Sequence, residues 1–270
     1  FWGTMGFFVE TMTSLGFSRM QIVFLRAVIT AAALIIYTAV TDRKAFSIRL
    51  RDIWIFLGTG ICSFVFFSYC YFLAMQMTTL SVAAVLLYTS PIFVVLLSAL
   101  LFHEKLTKRK LFAIAVTFLG CVLVSGGFGQ SGIPLPGIFV GLGAGLGYAL
   151  YSIFGRYGLN RYGALTVTLY TFIVAGIACL PFVPVKETFS LMNSPQTLGW
   201  VALLGIITCV VPYLSYTKGL SLTETSTAAV IATLISVFYF HEQMTAGKII
   251  GIFLILFSVY IINSHLTISA

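Results

Sequence analysis

Charge is scarce in this chain of 270 residues: Asp, Glu, Lys and Arg together supply 8 % of it. A soluble domain averages about 25 %, because its surface must be solvated. The shortage excludes a soluble enzyme, a disordered tail and a small secreted domain. Cysteine is sparse as well. Cys62, Cys70, Cys121, Cys179 and Cys209 all lie in apolar runs, their number is odd, and no CxxC pair exists, so neither a disulfide framework nor a cysteine metal site is indicated. No GxxxxGK[ST] phosphate loop occurs, which argues against ATP-driven work by this chain alone. A zinc helix is missing too, since Thr107 and Thr245 stand where a second histidine would follow His103-Glu104 and His241-Glu242. The alternating pattern of an outer-membrane barrel is absent.

Apolar sequence is abundant instead: 60 % of residues are hydrophobic and mean hydropathy is +1.07. A membrane helix needs about 20 apolar residues. Ten apolar runs are found, near 1–17, 19–40, 53–77, 80–102, 109–127, 135–155, 163–184, 198–217, 226–240 and 247–264. The chain therefore reads as an all-α polytopic membrane protein with ten transmembrane helices. With the N-terminus inside, the even loops carry Arg43, Lys44, Arg49, Arg51, Lys105, Lys108, Arg109, Lys110, Arg156, Arg161 and Lys218, whereas the odd loops carry Arg19, Lys186 and Lys248. That positive-inside bias places both termini in the cytoplasm. It also turns the net charge of +8 into topology anchors beside lipid headgroups rather than a nucleic-acid surface.

The second half repeats the first. Gly60, Tyr71, Ser81, Ala83, Ala84 and Val85 recur as Gly205, Tyr216, Ser226, Ala228, Ala229 and Val230, 145 positions later. Ser98, Phe102-His103-Glu104, Thr107 and Lys110 recur as Ser236, Phe240-His241-Glu242, Thr245 and Lys248, 138 positions later. Two five-helix repeats result, 1–128 and 134–270. Five is odd, so the copies are expected to be inverted, a construction used by secondary transporters with the site near the midplane. Between Val230 and Ser236 the second copy is seven residues shorter, which leaves span nine only about 22 Å long. Span one is short too, and residues are expected to be missing from the sequence at both places.

The chain resembles the drug/metabolite transporter superfamily, EamA type. The resemblance rests on Phe1-Trp2-Gly3, Phe24-Leu25-Arg26-Ala27, Ser81-Val82-Ala83-Ala84, Ser90-Pro91 and the Phe-His-Glu exits of spans four and nine. It covers essentially the whole chain. It implies a cavity lined by spans one, three, four, six, eight and nine, and export of amino acids or related small metabolites.

Within the spans, Glu10 and Arg26 are the costly residues, and ionisable groups in lipid usually face a cavity or a partner. Each lies eight positions from Ser18, so antiparallel neighbours would hold them at one depth, as a structural ion pair, an anion site at Arg26 or a proton-coupling carboxylate at Glu10. Tyrosine hydroxyls in spans need partners. Tyr69, Tyr71, Tyr88, Tyr148, Tyr151, Tyr213 and Tyr216 are the candidates, and together with Trp2 and Arg26 they suit an aromatic, weakly polar cavity. Pro91 and Pro212 interrupt spans as kinks or hinges. Gly137, Gly141 and Gly145 lie one turn apart, the small-xxx-small spacing of close helix packing rather than a nucleotide loop. No catalytic constellation, metal site or cofactor emerges beyond a coupling proton. The expected protein is a multi-pass transporter of the inner or plasma membrane, monomer or homodimer, moving a small-molecule substrate by alternating access. A non-transporting membrane receptor or assembly protein is the alternative, but no loop is long enough for a signalling domain.

Overall fold

The computed structural model describes residues 5–78, 80–104, 106–124 and 134–225, with 228, 250, 253, 254 and 257. Among them every regular element is helical. Five helices are long and apolar enough to cross a membrane: span two (Arg19–Thr41), span three (Leu50–Met77), span six (Leu135–Leu159), span seven (Ala164–Phe182) and span eight (Pro195–Leu222). Span one is a helix of ten residues, Met5–Ser14. Span five runs Lys108–Val124. Span four is two helices, Leu80–Leu87 and Ser90–Phe102. Nearly all of spans nine and ten lies outside the described residues, so five of the ten expected spans are seen at full length.

Local chemistry sets the boundaries. Gly16 takes a φ of +92°, a conformation open to glycine, and turns the chain after span one. Ser18 then starts span two with a capping box: its Oγ accepts from the Gln21 N–H at 3.4 Å, and Gln21 Oε1 accepts from the Ser18 N–H at 2.7 Å. Ser194 caps span eight by accepting from the Thr197 N–H at 3.1 Å, with Pro195 in the first turn, where its missing N–H costs nothing. Pro91 has the same place at the head of the second helix of span four. Pro212 follows a wide π-helical stretch, Ile206–Val210. Span three carries the matching stretch at Gly58–Val65.

The helices gather into two compact units, each drawing on both sequence halves: Phe1–Tyr69 with Phe154–Leu222, and Cys70–Ile153 with Thr223–Ala270. In the first unit, span two packs along spans seven and eight, and span seven along the π stretch of span three. Spans three and eight are both 28 residues long, and each end of the second falls 145 positions beyond the same end of the first. The first residues of spans two and seven, Arg19 and Ala164, are separated equally. The packing is reciprocal. A Cβ on Gly60 of span three would lie 2.8 Å from the Thr171 carbonyl oxygen and 3.0 Å from Val174 of span seven. A Cβ on Gly205 of span eight would lie 2.5 Å from Ile29 of span two. Ile29 and Val174 are themselves 145 positions apart, so each copy's span three or eight grips the other copy's span seven or two. Such reciprocity is what a two-fold relation produces.

In the second unit the glycine stripe of span six makes the close contacts. Gly137 meets Met77 and Thr78, Gly141 meets Leu86, and Gly145 meets Thr89 Oγ1 and the Leu86 carbonyl. The stripe therefore serves helix packing. His103 ends span four in the left-handed region at φ 54°, and Glu104 accepts the Thr225 N–H at 3.2 Å and pairs with Lys110 at 3.6 Å. The His-Glu exit is a helix-end device.

Gly60→Ala presses a methyl onto backbone and is expected to cost about 1–3 kcal/mol by overpacking. Gly199→Ala, in span eight with nothing within 4 Å, is expected to be neutral or stabilising by up to ~1 kcal/mol. Thermal unfolding in detergent compares the two; equal midpoints would contradict the packing described.

Candidate functional site

Among the described residues of the first unit, Arg26 is the largest side chain with no exposure at all. It lies seven residues into span two, about 10 Å along the helix. Its Nε donates to Thr208 Oγ1 at 3.2 Å and its Nη1 to Ser68 Oγ at 3.3 Å. The Thr208 hydroxyl proton goes to the Leu204 carbonyl at 2.5 Å, which turns an oxygen lone pair toward the guanidinium. The guanidinium carbon sits 5.1 Å from the centroid of Phe64, a cation–π contact. Phe64 and Thr208 belong to the two π stretches, so each wide turn delivers one contact to the same cation. π-bulges are frequent at functional sites.

An aromatic wall continues from this point. Phe64 meets Phe172 at 4.9 Å and Tyr213 at 5.9 Å between centroids, and Phe172 meets Tyr213 at 5.0 Å. Arg26 and Tyr213 are thus brought together through Phe64, with Tyr216 buried one turn further along span eight. Tyr71, Tyr88, Tyr148 and Tyr151 belong to the second unit, where Tyr71, Tyr88 and Tyr151 are buried and Tyr148 is half-buried. Tyr69 is 51 % exposed, so its ring is not part of the packed core. Trp2 lies outside the described residues. Pro91 and Pro212 stand at a helix start and beside a π turn, as given above. Glu10 and Arg26 are not brought together. Span one buries Met5, Phe8, Val9 and Met12, one helical face, and Glu10 projects from the exposed side. Counting residues from the turn says nothing of direction around the helix, and that is what separates the two charges.

Sequence reasoning missed a second polar cluster, at one end of the first unit. Asp52, buried at the start of span three, accepts from the Tyr162 hydroxyl at 2.6 Å and pairs with Arg161. The Tyr162 oxygen accepts in turn from the Arg49 N–H at 3.0 Å. Tyr170 donates to the Phe46 carbonyl at 2.7 Å. The Tyr162 and Arg161 bonds tie the loop between spans six and seven to Arg49 and the start of span three, and the Tyr170 bond ties span seven to the loop between spans two and three. They border a cavity of about 510 Å³ lined by Asp42, Lys44, Arg49, Asp52, Arg161 and Tyr162 among others. Burial first, then the Asp52 carboxylate that takes its hydrogen bond, push the Tyr162 phenol above its ordinary value of 10. The available signal was Asp52 itself, an acid at a span end directly after Arg51 and three positions after Arg49.

The sequence profile described as the EamA-like transporter family matches residues 1–126 and 135–264. An uncharacterized transporter of Archaeoglobus fulgidus is 30 % identical over 188 residues, 67 % of each chain. The uncharacterized transporter YdfC of Bacillus subtilis is 25 % identical over 87 % of this chain and 79 % of its own. A solved structure titled only "Crystal structure of protein" superposes with a TM-score of 0.72 at 19 % identity, covering 100 % of this chain and 95 % of that one, a likeness of fold.

Thr208→Val keeps shape but removes the acceptor for Arg26 Nε. It is expected to lower stability by about 1.5–3 kcal/mol, the usual size for a hydrogen bond to a charged group, read as a fall in unfolding midpoint; an unchanged midpoint would dismiss the bond. Because the Tyr162 pKa is raised on folding, its contribution is complete below about pH 10 and declines as pH climbs past it, where the unfolded chain ionises first. Tyr162→Phe should destabilise at neutral pH and flatten that alkaline decline relative to the parent; parallel pH–stability curves would show the phenol to be a bystander.

Proposed function

The chain belongs to the EamA-like transporter family and is a multi-pass membrane transporter; we propose that it is a secondary carrier of small carboxylate-bearing metabolites, amino acids or related compounds, exporting them across the cell membrane by alternating access. Two inverted five-span repeats with cytoplasmic termini form the carrier in this reading. Arg26 holds the substrate carboxylate, and Phe64, Tyr213 and Tyr216 form an aromatic wall beside it. Arg26, Phe64, Tyr213 and Tyr216, all of the first unit, make up the substrate path in this reading. The driving force is the substrate's own gradient or a proton taken up at Glu10.

The carrying observation is an asymmetry. At the 145-residue register the counterpart of Arg26 is Thr171, which meets the packing need with a hydroxyl bond to Thr59 Oγ1 at 2.7 Å. A threonine suffices for the scaffold in one copy. An arginine within a membrane helix costs up to about 2.5–3.5 kcal/mol on insertion scales, the figure for the helix centre, so its presence in the other copy calls for work beyond packing. A guanidinium fork suits a carboxylate, which it can bind through two parallel N–H bonds.

Proteoliposomes loaded with labelled amino acids, and with amines lacking the carboxylate, test this. Efflux of carboxylate-bearing substrates is expected, reduced at least about tenfold in Arg26→Gln, on the basis of one lost charge-assisted pair, while an intact unfolding transition shows the fold retained. Arg26→Lys should keep part of it. Undiminished efflux in Arg26→Gln would remove the arginine from the site. Efflux by Glu10→Gln that equals the parent's at every pH would remove the proton role.

A further inference from the structure

The cavity between the loop joining spans two and three and the loop joining spans six and seven lies where four spans end, at Thr41, Leu50, Leu159 and Ala164. It therefore opens at a membrane–water boundary. Beside it, Val40 and Leu50 are 84 % and 83 % exposed, apolar side chains with the exposure of lipid-facing residues. Trp54, whose ring meets Tyr157 at 5.5 Å, adds the aromatic character of an interfacial belt.

Its charges are unevenly engaged. Of the two carboxylates, Asp42 caps a 3₁₀ turn by accepting the Lys44 N–H at 3.1 Å. Asp52 is occupied by Tyr162 and Arg161. Among the cations, Arg161 gives one nitrogen to Asp52 and keeps a half-exposed side chain. Lys44 and Arg49 take part in no ion pair among the described residues. Three cations thus face two carboxylates that are already bonded. From these observations we propose that the cavity is a binding site for a phosphate-bearing anion, gripped by Lys44, Arg49 and the free edge of Arg161. Two arginine forks and an ammonium are the side-chain set that recognises phosphate. At about 510 Å³ the space exceeds what a bare phosphate needs and lies in the range of about 300–1,000 Å³ typical of small-molecule sites.

The site is one-sided. The register of 145 puts Phe189, Ser194 and Thr197 where Lys44, Arg49 and Asp52 stand, so the second repeat has no counterpart and one leaflet alone is recognised. It is independent of the substrate reading above, because none of these residues is assigned to the substrate path.

The test uses the full chain in neutral detergent, titrated separately with phosphatidylglycerol, phosphatidylcholine and inorganic phosphate, with binding followed by native mass spectrometry and thermal shift. Phosphatidylglycerol is expected to bind, and Lys44→Gln/Arg49→Gln to weaken it about thirtyfold, the equivalent of ~1 kcal/mol for each basic group lost at an anionic headgroup. Lys44→Arg/Arg49→Lys should retain binding, which separates charge from fold. If inorganic phosphate binds with the same dependence on the double variant while the lipid does not, the site stands with a soluble phosphate as its occupant. If neither anion distinguishes the parent from Lys44→Gln/Arg49→Gln, or if phosphatidylcholine binds equally with the same lack of dependence, the proposal is overturned.

Discussion

Helices in lipid gain nothing by hiding apolar surface from one another, since the acyl chains around them are as apolar as leucine. Where spans meet is decided instead by how closely their backbones approach and by the few polar ties that form there. In the first unit both are supplied twice. Gly60 lets span three rest against the Thr171 carbonyl, and Gly205 lets span eight rest against Ile29. Thr171 bonds to Thr59, and Thr30 donates to the Gly205 carbonyl at 3.3 Å. Without those approaches the hydroxyls of Ser68 and Thr208 would not converge on Arg26, and the loop and span end that meet at Asp52 would have no common frame.

The wide turns in spans three and eight extend the same logic to the backbone. A π stretch shifts the hydrogen-bond ladder by one residue, and in span eight it precedes Pro212, a residue with no N–H to contribute. The proline is accommodated by a local change of helix type rather than by a break. Span four solves the similar problem at Pro91 by ending one helix at Leu87 and starting another at Ser90. Span three has no proline at the matching position, yet its π stretch is the longer, eight residues against five. Proline is therefore not the common cause. The shared features are the small residue at Gly60 or Gly205 and the hydroxyl at Ser63 or Thr208.

Much of this was legible in the order of residues. Runs of apolar sequence located spans two, three, six, seven and eight, because the length needed to cross hydrocarbon leaves a plain signature. Glycines one turn apart in span six announced close packing, and the interruption at Ser90-Pro91 announced the division of span four. What escaped was direction and partnership. Residue counting put Glu10 and Arg26 at one depth, but the buried face of span one is set by Met5, Phe8 and Met12, and Glu10 is not on it. Arg26 finds Thr208 at a separation of 182 residues, and Asp52 finds Tyr162 at 110. No short-range pattern encodes either pairing. The repeat register does encode part of it, since the 145-residue shift that aligns Gly60 with Gly205 also aligns the residues each glycine touches.

The same register separates scaffold from specialisation. Positions that match across it, Gly60 with Gly205 or Ile29 with Val174, carry the packing. Positions that differ, Arg26 against Thr171 and Asp52 against Thr197, carry charge in one copy alone. A carrier that opens alternately to two sides needs two conformations separated by no more than a few kcal/mol, or one of them is never visited. Under the alternating access proposed above, matched packing in the two copies is a direct way to keep that difference small, because contacts given up by one copy could be matched by those taken up in the other. Charges confined to one copy break the balance, and a ligand held by them can bias it by no more than its differential affinity for the two conformations. Arg26 belongs to the first copy alone, and the interfacial cluster joins Lys44, Arg49 and Asp52 of the first copy to Arg161 and Tyr162 of the second; these are the places where the matched frame is broken.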